Sequence, residues 1–403
     1  MASVIVVENE IKDSVKEYGL IIDSIHQNSQ FSDSLNQYFN IQNEITNKSE
    51  LAAKLLSGSP ATTLAKLSDK EFEPAFYLLV YLLHELEGTS FEKLFEKDSN
   101  VVNLLIEATP AQVPSLRDRR SLKPTTILSI INTFFNYLPT TSATRIYLVE
   151  LICKIVSDTQ IDFALVQSAI GDNLVSWLKD ANASEAEIKR LFWFFVKLDK
   201  AYTLKSLQLI KAFTSQFTLS LTELHDLIVF ALSSSVVDVS FLVNNNVASA
   251  LQANSSDSLA QTFTQYTNGE LVTSAAGDLS EDVHAKSKIL ALAKFFVQSD
   301  DAGKNSFLYS DIPSELVSSP SEFEKLLIDS IKAGVIEGKL NQVDETFYLV
   351  RVNRFVLAGN QEKIAHDWET VKKSLVQWKE SLNNINEIVK NAKDNIVNNN
   401  NAN

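Results

Sequence analysis

Glycine and proline are scarce in this sequence: 10 glycines and 8 prolines make up only 18 of its 403 residues. Average proteins contain ~12% of the two combined. Barrels, β-sandwiches and nucleotide sites with several glycine-rich loops depend on them, because tight turns need positive or fixed φ angles. The shortage therefore argues against all of these classes and predicts a mainly α fold.

Cysteine and long apolar runs are also lacking. Cys153 is the single cysteine, so no intrachain disulfide can form and a reducing compartment is expected. The apolar run 76–83 is far shorter than the ~20 residues of a membrane span, and the N-terminus lacks the pattern of a signal peptide. A net charge of −14 disfavours strong direct binding to nucleic acid or an anionic membrane. We expect a cytoplasmic protein without a membrane partner.

Residues with catalytic or metal-binding chemistry are few and scattered. The five histidines show no HxH or HExxH spacing, and no phosphate-binding glycine loop or GxSxG motif occurs. Cys153 lies in an apolar helical pattern, which is typical of a small buried hydrophobe. We therefore predict that the protein is not an enzyme and holds no cofactor or metal.

Two local clusters have alternative interpretations. Arg117, Arg119, Arg120 and Lys123 could contact RNA phosphates. A solvated loop, or an interface with an acidic neighbour, is the interpretation we favour. The run 191–196 is apolar around a full helical turn, which is more typical of core than of a base-stacking platform.

Hydrophobic periodicity predicts a succession of amphipathic helices in the first two thirds of the chain. The predicted helices are 8–25, 31–55, 71–86, 124–138, 141–157, 160–170, 184–199, 201–216, 220–233 and 239–252. Capping boxes begin two of them, at Ser184 and Ser220. Because each amphipathic pair must bury a face against the next, we predict an α-solenoid of helical hairpins.

The pattern changes where glycines become frequent, between 269 and 359. A list of the predicted elements reads helix 285–298, strand 307–309, short helix 313–317, helix 320–334 capped by Ser319, and strands 335–340 and 346–352. This is the order of a winged helix. The helix 320–334 is net negative, which disfavours DNA reading. The strand 346–352 is apolar on both faces, which suits a strand paired on an edge or covered by another protein.

The last segment carries an apolar residue at alternating spacings of four and three, a heptad stripe. Its members are Ile364, Trp368, Val371, Leu375, Trp378, Leu382, Ile385, Val389, Ala392 and Ile396. We expect Trp368 and Val371 to fold back on the winged helix. The distal half has no later element to cover it, so we expect it to enter a bundle with other subunits. The tail 397–403 is expected to be disordered.

Domain boundaries follow from these patterns. We predict an N-terminal helical repeat region at 1–200, helical repeats at 201–283, a winged helix at 284–356 and a terminal heptad helix at 361–396. The repeats and the winged helix together would form one domain at 201–360.

The segment 334–342, Gly-Val-Ile-Glu-Gly-Lys-Leu-Asn-Gln, resembles a motif of the PCI-domain family, in which an apolar strand leads into Lys-Ile-Asp-Gln. The chain departs from the motif at Leu340 and Asn341. Residues that resemble the terminal helix of one PCI subunit of translation initiation factor 3 are Arg354, Phe355, Trp368, Leu375, Trp378, Lys379, Leu382, Asn383 and Ile385. The resemblance covers about 205–395, roughly half of the chain.

The resemblance implies a scaffold without catalysis, which assembles with other PCI and MPN subunits of initiation factor 3 and supports 40S binding and mRNA recruitment. It implies that winged helices pack side by side in an arc, through the helix 320–334 and Phe347, Tyr348, Leu349, Val350 and Val352. It implies a shared helical bundle through Leu375, Trp378, Leu382, Ile385 and Val389. A scaffold of the COP9 signalosome or proteasome lid is the alternative, and a nucleic-acid-binding adaptor is a third.

Overall fold

A computed structural model describes residues 10–40, 44–110, 122–159, 161–273, 280–301, 304–354 and 361–401. The chain divides into two compact units, Met1–Lys200 and Ala201–Asn403. The cluster Arg117, Arg119 and Arg120 lies outside the described residues, as does Phe355.

The first unit is helical, and many of its helices contact the next helix along the chain. Its helices are α1 Ile11–His26, α2 Gln30–Leu35, α3 Lys48–Gly58, α4 Ala61–Leu64, α5 Asp69–Glu87, α6 Phe91–Leu94, α7 Asn100–Ala108, α8 Pro124–Tyr137, α9 Thr144–Asp158, α10 Phe163–Ile170, α11 Leu174–Asp180 and α12 Glu185–Lys197. The apolar run 191–196 is core, since Leu191, Phe195 and Val196 are almost fully buried.

The single helix predicted at 31–55 is wrong. The chain leaves α2 through a 3-10 turn at Asn36–Tyr38, and Phe39 then pairs with Ile45 in an isolated antiparallel bridge. Helix α3 begins only after Asn47, whose side chain accepts a hydrogen bond from the Glu50 N–H. The apolar spacing over this segment was loose, and asparagine favours caps and turns over helix interiors.

The second unit begins with four helices and continues into a small sheet with two further helices beside it. Its elements are α13 Leu204–Thr214, α14 Leu221–Ser233, α15 Asn245–Ala253, α16 Ser258–Thr267, α17 Ser280–Asp301, β1 Ser306–Leu308, α18 Pro320–Lys332, β2 Ile336–Asn341, β3 Thr346–Val352 and α19 Gln361–Asn401. The predicted capping residues are confirmed at Ser220 and Ser319, whose side chains accept the N–H groups of Glu223 and Glu322.

The sheet has three antiparallel strands in the order β1-β3-β2. Phe347 lies opposite both Phe307 of β1 and Leu340 of β2, and the β2–β3 register shifts between Glu337 and Gly338. The mainly α architecture is consistent with an α-solenoid that ends in a winged helix, as the sequence predicted.

The short helix predicted at 313–317 is wrong. The structure has a 3-10 turn at Tyr309–Asp311 and a single reverse turn, in which the Leu316 N–H donates to the Pro313 carbonyl. Ser318 and Ser319 already bond to Glu322 at the start of α18. Too few residues remain between these fixed points for a helix.

Helix α19 spans 41 residues, which corresponds to ~60 Å at 1.5 Å per residue. The helix continues to Asn401, and the disorder expected for 397–403 stays a prediction.

Candidate protein-binding surfaces

Strand β3 has one face in the core and one face outside. Phe347 is fully buried and Leu349 is 9% exposed, whereas Tyr348 is 46% and Val350 66% exposed. Val352 is half-buried. The expectation that all five residues line an interface is therefore too broad: Phe347 and Leu349 belong to the core. Of the two alternatives for this strand, the edge position is wrong, because β1 and β2 pair on either side of β3, and coverage by another protein stays a prediction.

The outer sheet face is the surface formed by Leu308, Lys339, Tyr348, Val350 and Arg351. Register places Lys339 of β2 opposite Tyr348. On β1 the partner of Tyr348 is Ser306, and Leu308, two residues later and on the same face, is 50% exposed. The guanidinium of Arg351 lies 3.5 Å from the Glu337 carboxylate. The outer sheet face is therefore an apolar centre with a charged rim, and Leu308 could be found only from the register.

Helix α18 buries Phe323, Leu326 and Leu327 against the rest of its unit. Its outward side carries two exposed isoleucines one turn apart, Ile328 at 49% and Ile331 at 41% exposure. These residues add apolar surface to the helix that the sequence singled out for the arc contact.

The acidic residues of α18 hold the winged helix together. The Ser318 N–H and hydroxyl donate to Glu322 Oε2 at 2.9 and 2.7 Å, and Lys288 Nζ of α17 lies 3.1 Å from Glu322 Oε1. These hydrogen bonds, with the charge of Lys288, lower the pKa of Glu322 to about 2.

Glu324 has a similar role further along α18. The Tyr309 hydroxyl donates to Glu324 Oε1 at 2.8 Å, and Gln342 Nε2 donates to Oε2 at 2.8 Å. Burial, and then this bond to a carboxylate, raise the pKa of Tyr309 to about 12. The negative charges that disfavour a DNA-reading helix therefore tie the turn before α18 and the hairpin after it to the helix.

The heptad stripe of α19 lies on an exposed surface. The exposed fractions of its large side chains are Trp368 63%, Leu375 58%, Trp378 64%, Leu382 47%, Ile385 57% and Val389 60%. Val376 at 46% and Ile388 at 67% lie beside the stripe and widen it. The expectation that Trp368 folds back on the winged helix is wrong, since most of its surface is accessible. The side chain of Ile396 lies outside the described residues.

Side chains with catalytic potential have local structural partners. His225 Nε2 lies 3.0 Å from Asp257 Oδ2, while His84 and His284 bond to the backbone carbonyls of Thr89 and Val272. Burial raises the pKa of the Cys153 thiol to about 12. Among the described residues, no group of three or more His, Cys, Asp or Glu side chains is placed to hold a metal ion.

None of the described helices is long and apolar enough to cross a lipid bilayer. The fold and its exposed apolar surfaces thus define a mainly helical protein with a winged helix and a long exposed terminal helix.

Three curated relatives of the chain have the same name. It is 26% identical over 384 residues to the protein named eukaryotic translation initiation factor 3 subunit M of Aspergillus terreus, an alignment that covers 87% of this chain and 77% of the relative. The protein of the same name in Aspergillus oryzae is 25% identical, with 87% and 76% covered. That of Phaeosphaeria nodorum is 23% identical, with 96% and 88% covered. No family model matches the chain.

These relatives confirm the resemblance to a subunit of initiation factor 3, and the subunit whose terminal helix this chain resembles is indeed the m subunit. They also extend it. The sequence motifs covered about 205–395, whereas the alignments reach 87–96% of the chain and therefore include most of the first unit.

Proposed function

We propose that this chain is a non-catalytic scaffold subunit of translation initiation factor 3 in the cytoplasm. The observation that carries the proposal is the exposed apolar stripe of α19, in which Trp378 and Val389 keep 60% or more of their surface accessible. Large contiguous apolar patches are rare on monomeric proteins and mark surfaces for other molecules. The relatives are named as subunits of translation initiation factor 3, and we infer that this chain belongs to the same assembly.

The width of the stripe supports a bundle of several helices. A helix that packs against one partner needs only a narrow seam, whereas Val376 and Ile388 extend the apolar surface of α19 to either side. Leucine at the first and isoleucine at the second apolar position of a heptad, as at Leu382 and Ile385, favours more than two strands. We infer that helices of other PCI and MPN subunits cover α19.

The winged helix offers a second contact surface, for the arc of PCI subunits. Its exposed apolar residues are Tyr348 and Val350 on the outer sheet face and Ile328 and Ile331 on α18. Val352 is half-buried and pairs with the buried Ile336 on the inner side of the sheet. Contact with the 40S subunit and recruitment of mRNA would then run through the assembled factor, without strong direct nucleic-acid binding by this chain.

The test replaces Leu382 and Ile385 with aspartate in the tagged full-length chain, followed by affinity purification and mass spectrometry. The matched control is Gln377→Asp with Asn384→Asp, which adds the same charge to exposed positions on the opposite side of α19. The wild type and the control should recover initiation factor 3 subunits and 40S proteins. The Leu382→Asp and Ile385→Asp variant should lose them with an unchanged circular dichroism spectrum.

Three results would count against the proposal. Unfolding of the isolated stripe variant would mean that the stripe is intramolecular core. Recovery of cullin-linked or proteasome proteins would support the COP9 signalosome or proteasome lid. Full recovery of initiation factor 3 by the stripe variant would remove the bundle role of α19.

A further inference from the structure

Charged residues are distributed unevenly around α19. In the heptad register, Leu375 and Leu382 occupy the first apolar position and Trp378 and Ile385 the second. The row that follows the second position reads Ala365, Lys372, Lys379, Asn386 and Lys393. The three lysines of this row are exposed and flank the apolar stripe along one side. We call them the flanking lysines.

The flanking lysines have no partner within the described part of the chain, where none of them forms an ion pair or a hydrogen bond. The spacing explains why. Side chains three and four positions apart are neighbours on a helix, and neither Lys379 nor Lys393 has an acidic residue at those distances. Lys372 has Glu369 three positions before it, but no ion pair forms between them. These charges are therefore available to another chain.

We propose that the helix covering this side of α19 belongs to a different protein and carries a row of glutamate or aspartate residues that pairs with Lys372, Lys379 and Lys393. This proposal rests on the proposed function, since it assumes that the stripe enters a bundle. Charges that flank an apolar seam set partner choice and orientation in helical assemblies. An acidic row would neutralise all three lysines.

A second copy of this chain fits the flanking lysines poorly. An antiparallel pair of α19 helices would place the lysine rows against each other. In a parallel pair, each lysine would face the residue that precedes the first apolar position of the partner helix. These residues are Asp367, which is acidic, and Ser374 and Ile388. At least two lysines would then stay unpaired, so the charge pattern selects against self-association.

A membrane surface fits no better. Interfacial amphipathic helices concentrate lysine and arginine over the whole polar face. On α19 the polar side also carries Glu369, Glu380 and Glu387, which anionic lipids would repel. The lysines next to the stripe are concentrated along one of its edges, which is the geometry of a helix–helix contact.

The first experiment uses the assembly purified with the tagged full-length chain and a zero-length carbodiimide, which joins amines only to carboxylates in direct contact. Lys372, Lys379 and Lys393 should form cross-links to glutamate or aspartate residues in one helix of another subunit. Lys373, on the side of α19 opposite the stripe, is the internal control that should react less. Cross-links only to a second copy, or equal reaction of Lys373, would overturn the proposal.

The second experiment measures binding of the purified full-length chain to two synthetic amphipathic helices by fluorescence anisotropy. Both have the same apolar stripe, and it is flanked by glutamates in one and by lysines in the other. The wild type should prefer the glutamate helix by about tenfold at low ionic strength, since exposed charge pairs are individually weak but act together. Lys372→Glu with Lys379→Glu should reverse this preference, and Lys373→Glu, on the side opposite the stripe, should keep it.

Failure of this proposal can be told apart from failure of the proposed function. Equal binding of both synthetic helices by the wild type would overturn the acidic-partner proposal but leave the stripe as a docking surface. Binding to phosphatidylserine vesicles that the Lys372→Glu and Lys379→Glu changes abolish would overturn it in favour of a membrane. Retention of the Leu382→Asp and Ile385→Asp variant in the assembly would instead refute the bundle itself.

Discussion

Gly338 lies at the register shift between β2 and β3, and its replacement by alanine is predicted to disrupt the winged helix. A Cβ at this position would lie 2.2 Å from Phe347 Cζ and 2.6 Å from the backbone oxygen of Tyr348. Both distances are far below van der Waals contact. The glycine is thus required by a close approach and not by its φ angle, and either the ring or the strand must move to admit a methyl group.

The ring of Phe347 has little room to move. It is fully buried, and its centroid lies 5.3 Å from that of Phe296, whose ring in turn lies 4.8 Å from that of Phe307. Overpacking of a well-packed core costs ~1–3 kcal/mol. Because a backbone oxygen is also in the way, we expect the upper end of this range for Gly338→Ala, about 3 kcal/mol.

Gly334 provides a comparison within the same unit. Its φ is +71°, and a Cβ there would meet nothing within 4 Å, so Gly334→Ala should cost only the ~1 kcal/mol of a left-handed alanine. Hydrogen exchange of peptides covering 336–352, measured by mass spectrometry on the full-length chain, should report both changes. We expect exchange to accelerate about 100-fold for Gly338→Ala and about fivefold for Gly334→Ala.

A second-site change tests the cause of the loss. Phe347→Leu shortens the side chain that the new methyl group would strike, so the double variant should be more stable than the sum of the two single costs predicts. Equal costs for Gly338→Ala and Gly334→Ala, or strict additivity with Phe347→Leu, would refute the steric argument.

Two further predictions concern titratable groups. In the folded chain the pKa of Glu322 falls from 4.5 to about 2, so its stabilising effect is present above about pH 4.5 and is lost as the pH falls towards 2. Glu322→Gln should therefore flatten the decline of urea midpoints over that interval, and an unchanged decline would contradict this role. Cys153, buried and with its pKa raised to about 12, should resist thiol reagents at neutral pH until the first unit unfolds. Rapid reaction of the native chain would show that the site opens locally.

Local signals in the sequence predicted helix starts well. Ser184, Ser220 and Ser319 cap α12, α14 and α18 as expected, because a capping bond involves residues only three positions apart. Short helices were harder to find. Helix α7 has a cap at Ser99 and an apolar face, but at nine residues its existence depends on tertiary burial more than on propensity.

The candidate surfaces were predictable only in part. The run Phe347-Tyr-Leu-Val is apolar at every position, so no alternation indicates which side chains face outward. That choice follows from the register with β1 and β2, which depends on residues about 40 positions away as well as on the hairpin. The heptad stripe of α19 was fully visible in the sequence. The sequence does not show how much of the stripe the chain itself covers, and for this reason the prediction that Trp368 folds back on the winged helix is wrong.

The same consideration explains why the net charge of the chain is a poor guide to its partners. Acidic side chains of the winged helix are engaged within the fold: Glu322 with Ser318 and Lys288, Glu324 with Tyr309 and Gln342. Charges that the fold has already paired contribute little to recognition, whereas an exposed charge beside an apolar stripe gains a partner only when another chain binds. A protein of net charge −14 can therefore select an acidic partner, because the three lysines next to the α19 stripe form no ion pair within the part of the chain that the structure describes.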